Sequence, residues 1–127
     1  MVKKGEFLKD KAERFLENAY ELFQKEQYDL CAFNVEQAVQ LFLKYKLWEK
    51  LGDFEKTHQI SKLLKDLQEI ADDPQKIKNL TEKHKEVIAD LEVAYIESRY
   101  LPVQFFKEQT KKMLDFAEEL KEALELK

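Results

Sequence analysis

Two glycines and two prolines in 127 residues leave this chain few places to turn, and that scarcity constrains its fold more than any other feature. A sheet of comparable size would need a turn signal about every eight to twelve residues, and glycine and proline are the main residues that supply one. Apolar and polar residues do not alternate over any useful length, whereas apolar residues recur at three- and four-residue intervals along the chain. The expected fold is therefore all-α. With 44% hydrophobic residues in 15.2 kDa, the chain has material for one core, and residues 1–127 are read as a single domain.

The periodicity divides the chain into four long helical segments and one short one. Leu8, Ala12, Phe15, Leu16, Ala19, Leu22 and Phe23 fall on one side of a helix over about residues 4–25. After an interruption at Gln27, Tyr28 and Asp29, a second helix carries Cys31, Val35, Ala38, Phe42 and Tyr45 and should stop at Gly52. Thr57 is a plausible cap for a third helix with Ile60, Leu63, Leu64, Leu67 and Ile70 inside and His58 in its first turn. Pro74, preceded by Asp73, suits the start of a fourth helical region, with a break near Asn79 to Thr81 and Val87, Ile88, Leu91, Ala94 and Tyr95 on its apolar face. Arg99 follows Tyr95 by four residues and so projects from that same side. Pro102 closes the region, and a last helix over about residues 103–125 should bury Phe106, Met113, Ala117, Leu120 and Leu124. Short connections between such helices favour an antiparallel bundle.

Charge and side-chain inventory exclude several functions. Charged residues make up 38% of the chain, finely mixed, and the net charge of −4 provides no overall basic field for non-specific nucleic-acid binding. Binding of RNA or DNA would have to be local. No apolar stretch reaches the length of a membrane span and no signal-type region follows the amino terminus, so a cytoplasmic location is expected, consistent with the lone Cys31 in an apolar run. His58 and His84 stand in different segments without a second His or Cys at ligand spacing, so no metal is expected, and nothing in the chain implies a cofactor. Phosphate loops and nucleophile elbows are absent, because the only glycines are Gly5 and Gly52.

A small polar set remains. Arg99 is one of two arginines among 22 basic residues, and it stands beside Tyr100 where proline ends a helical pattern; a guanidinium and an aromatic there can hold an anion and stack a flat ring. On the second helix, Asn34, Gln37, Leu41, Lys44 and Trp48 form a mixed stripe of amides, an ammonium and an indole that can line a cleft or an interface. His58 and Tyr95 complete the candidates. Each also has an ordinary structural use: Arg99 at terminal carbonyls, Gln37 on a helix backbone, Lys44 snorkelling, His58 capping, the tyrosines in the core with wet hydroxyls.

In order along the chain, Ala12-Glu13-Arg14-Phe15-Leu16, then Tyr28-Asp29-Leu30-Cys31-Ala32-Phe33-Asn34-Val35-Glu36-Gln37-Ala38, then Leu43-Lys44, then His58, then Ala94-Tyr95-Ile96-Glu97-Ser98-Arg99-Tyr100-Leu101-Pro102 give a pattern that resembles the HEPN family. The resemblance implies an up-and-down antiparallel bundle of about five helices, paired as a homodimer. Family members that cleave RNA carry an arginine followed after four to six residues by a histidine. Here the corresponding positions after Arg99 are Gln104, Phe105 and Phe106, and those after Arg14 are Ala19, Tyr20 and Glu21, so that RNase motif is absent. The resemblance is closest to the non-cleaving branch associated with small nucleotidyltransferases. It implies a nucleotide or RNA ligand, a nucleotidyltransferase partner, a toxin–antitoxin-like role and no catalytic residues. In that reading Arg99 and Lys44 hold phosphate oxygens, Tyr100 or Tyr95 stacks a base, and Gln37 and Asn34 bond polar edges, with His58 nearby. The alternatives are an interaction or dimerisation module without a ligand, and a divergent RNase that uses His58 as a substitute.

Overall fold

The computed structural model describes residues 4–97 and 103–126. Six helices are present among them, and no strand: α1 (Lys4–Gln24), α2 (Tyr28–Leu51), α3 (Ile60–Ile70), α4 (Pro74–Lys83), α5 (Lys85–Glu97) and α6 (Lys107–Ala123). The architecture is an all-α, up-and-down bundle in which α2 packs against α1, α3, α5 and α6. Because α2 is covered on several sides, it is apolar around most of its circumference rather than along one stripe. Cys31, Ala32, Val35, Ala38, Val39, Phe42, Leu43 and Leu47 are all buried.

The local signals act much as anticipated at several ends. Gly52 adopts φ +76, a left-handed conformation open to glycine, and its N–H donates to the Trp48 carbonyl at 2.7 Å to close α2. Asp73 caps α4, its carboxylate accepting from the Lys76 N–H at 3.3 Å, and Pro74 occupies the first turn, where its missing N–H costs nothing. Gly5 allows the close approach of α1 to α2: a Cβ there would lie 1.7 Å from the Trp48 ring.

Four expectations need correction. The break in the fourth helical region falls at His84, not near Asn79 to Thr81, and makes two helices of one; His84 Nε2 is bonded to Glu119 of α6, which ties the joint to its neighbour. Thr57 does not start α3. Its hydroxyl accepts from the Gln59 N–H at 3.2 Å in a local turn, α3 begins at Ile60, and His58 therefore lies in the non-helical segment 53–59 rather than in a helical first turn. The last helix begins at Lys107 instead of Val103. Phe106, expected inside, is 66% exposed, because it precedes the helix in extended backbone instead of standing on a helical face, while its neighbour Phe105 is the one turned inward at 4%. Arg99, Tyr100 and Pro102 lie outside the described residues.

Candidate functional site

Three polar residues one helical turn apart are buried in α2: Glu36 at 0% exposure, Gln40 at 4% and Lys44 at 9%. Spacing of four places them in a row on one face, and Gln40 and Lys44 meet His58 and Phe54 of the non-helical segment 53–59. Buried polar groups are stable only with partners, and this row is bonded internally. One Glu36 oxygen accepts from Gln37 Nε2 at 2.8 Å, and the other accepts from Gln40 Nε2. Gln40 Oε1 in turn lies 3.3 Å from His58 Nδ1. The His58 ring stacks on Tyr95 of α5, with centroids 4.9 Å apart and planes 20° from parallel. Glu36, Gln40, His58 and Tyr95 thus form a continuous chain of contacts from the core to the surface, since His58 itself is exposed.

Lys44 extends the row toward the aromatic wall. Its ammonium sits 5.8 Å from the Phe54 ring centre, a cation–π arrangement with a residue of the 53–59 segment. No described residue accepts a hydrogen bond from Lys44. Burial pushes its ammonium below the usual lysine range, and the Glu36 carboxylate offsets only part of that cost. Chemically, the wall offers a partly desolvated cation, a flat stacked pair and a fixed carboxylate–amide chain. Such a set suits an anion joined to a planar group.

The sequence candidates separate into three groups. Gln37, Lys44, His58 and Tyr95 are gathered by the Glu36–Gln40 core of the row. Asn34 is directed elsewhere: its Oδ1 accepts from Asn18 Nδ2 of α1 at 3.0 Å and its Nδ2 donates to the Leu30 carbonyl at 2.8 Å, so it braces the α1–α2 hairpin. Arg99 and Tyr100 fall outside the described residues, four and five positions after Tyr95. Cys31 has 0% exposure and its thiol is pushed up to about 12 by burial, a setting in which the nucleophilic thiolate is not formed.

A family model for the HEPN domain matches residues 6–127. The chain belongs to the HEPN family. No curated protein and no solved structure matched it. The HEPN match spans all six helices almost entirely, so the polar row lies within the family's own fold and not in an added segment. Glu36, Gln40 and Phe54 were not among the residues singled out from sequence. The i, i+4, i+8 spacing of Glu36, Gln40 and Lys44 on an otherwise apolar helix was the available signal. It was obscured because Asn34, Gln37 and Lys44 share a different three- and four-residue spacing.

Proposed function

We propose that this HEPN protein binds a nucleotide at the outer side of the buried Glu36–Gln40 pair, where Lys44, His58 and Tyr95 stand, and that it does so as a homodimer acting with a small nucleotidyltransferase, in a toxin–antitoxin-like or substrate-binding role. The single observation that carries the reading is Lys44. Lys44 is a largely buried lysine, 9% exposed as a residue, whose charged form is disfavoured by desolvation and whose ammonium has no hydrogen-bond acceptor among the described residues, and a phosphate arriving there would supply charge-assisted bonds. The stacked His58–Tyr95 pair supplies a flat surface for a base at the edge of the same wall. Arg99 would add a second phosphate contact, and Tyr100 a second ring. The homodimer and the partner enzyme are supported by the family resemblance and by exposed apolar side chains, Leu30 at 46% and Phe106 at 66%, that a protein surface could cover.

Native mass spectrometry with adenosine and guanosine mono-, di- and triphosphates tests this reading, with Lys44→Met as the variant. Methionine keeps the buried stem and removes the charge. The expected result is a dimer that takes up nucleotide, an affinity loss of about tenfold or more in the variant, and a variant at least as stable as the parent. A stable protein that ignores every nucleotide would end the ligand reading and leave an interaction module.

A further inference from the structure

The hydrogen-bond chain that starts at Glu36 dictates which nitrogen of His58 carries its proton. A carboxylate is an acceptor only, and both Glu36 oxygens face amide nitrogens, from Gln37 and from Gln40. Gln40 is therefore fixed with its Nε2 toward Glu36 and its Oε1 toward His58; the flipped amide would set oxygen against oxygen. With Oε1 facing it at 3.3 Å, His58 Nδ1 must donate. In the neutral imidazole that leaves Nε2 without a proton. The Tyr95 ring stacked at 4.9 Å holds the imidazole plane, so the bare nitrogen has a defined direction at an exposed edge.

We infer that Gln40, oriented by Glu36, is a positioning residue that holds His58 in its Nδ1–H tautomer, so that His58 Nε2 acts as a hydrogen-bond acceptor reading a donor edge of the bound ligand. The recognition role rests on the nucleotide reading above; the tautomer assignment stands without it. Lys44 and His58 then select together. One is a cation for an anionic group, the other an acceptor for a ligand hydroxyl or amine.

Long-range nitrogen–proton NMR correlation on the full-length protein, recorded on the neutral form of the imidazoles, reads the tautomer directly. His84 is an internal reference of opposite kind. Its Nε2 is bonded to Glu119, so it should carry the proton on Nε2, and His84→Gln assigns the two rings. The expected spectrum shows His58 with a pyrrole-type Nδ1 and a pyridine-type Nε2, and Gln40→Met shifts it toward the Nε2–H form favoured by free histidine. An Nε2–H ring in the parent protein, or a ring unmoved by Gln40→Met, overturns the inference. Adenosine 5′-monophosphate, which offers ribose hydroxyls and an exocyclic amine, is then added. A shift of the Nε2 resonance supports the recognition role. Lys44-dependent binding that leaves Nε2 unmoved overturns that role while the nucleotide reading survives. If the tautomer is as assigned and adenosine, guanosine and inorganic phosphate probes all fail to bind, the nucleotide reading and the recognition role fall together, and the tautomer assignment remains.

Discussion

Lys44 joins a buried stem to a charged head, and its burial makes both stability and binding depend on pH. Its folded pKa lies below the ordinary value of 10.5, with desolvation the larger cause and Glu36 the opposing one. Between the depressed value and 10.5 the unfolded chain holds a proton that the folded chain has released, so this group makes stability rise with pH across that window. Below the window the cost of burying the ammonium is fully present. An anionic ligand needs the ammonium and so raises its pKa. Nucleotide binding should therefore take up protons within the window and weaken as pH rises through the folded value. Calorimetry in buffers of different ionisation enthalpy measures the uptake, and Lys44→Met should abolish it. Proton uptake that persists in the variant would assign the effect to another group. Among single residues, sequence made the chemical types legible but not their directions: Asn34 and Lys44 share a stripe by spacing, yet Asn34 is spent on Asn18 across the hairpin while Lys44 faces Phe54. The partners that decide the difference are remote in the chain or stand in a segment without periodicity.

Between elements, the tightest constraint is where α1 crosses the end of α2. The Gly5 Cα lies against the Trp48 ring so closely that an added methyl would fall within 2.2 Å of three ring carbons. Alanine has the higher helix propensity, so propensity alone gives no reason for Gly5→Ala in the first turn of α1 to be destabilising. Here the overlap decides the sign. Gly5→Ala should destabilise by about 1–3 kcal/mol as the indole or the first turn of α1 shifts, with a change in Trp48 emission as the local readout and thermal unfolding as the global one. A neutral or stabilising result would mean that α1 frays there without penalty. Elements ended by strong local chemistry, Gly52 after α2 and Asp73–Pro74 before α4, were legible because the signal sits at the boundary itself. The α4–α5 joint was not. It is fixed by a contact between His84 and Glu119, 35 residues apart, that no local pattern carries.

At the scale of the molecule, α2 touches four of the other five helices, and the remaining one, α4, reaches the bundle through α3, α5 and α6. That arrangement made the fold class legible from scarce glycine and proline and from periodicity, but it hid the site. A central helix is apolar nearly all round, so a polar row on it has no contrasting face from which to be recognised. It also predicts how the bundle unfolds. Removing a large side chain from the middle of α2 takes contacts from several helices at once, so the damage is shared rather than confined to one pair. Phe42, at 0% exposure, is such a side chain, with Lys121 Nζ of α6 5.6 Å from its ring centre. Phe42→Ala should cost about 3–5 kcal/mol, a large part of the roughly 5–15 kcal/mol available to a domain of this size. The single tryptophan, Trp48, reports on the α1–α2 crossing, while far-UV circular dichroism reports on all helices. For a bundle organised around α2 the two probes should give one denaturation curve in the parent, and one shifted curve with the same steepness in the variant. If tryptophan emission changed before the helical signal, the α1–α2 hairpin would be a separately unfolding unit, and the polar row would be exposed on its own without loss of the remaining helices.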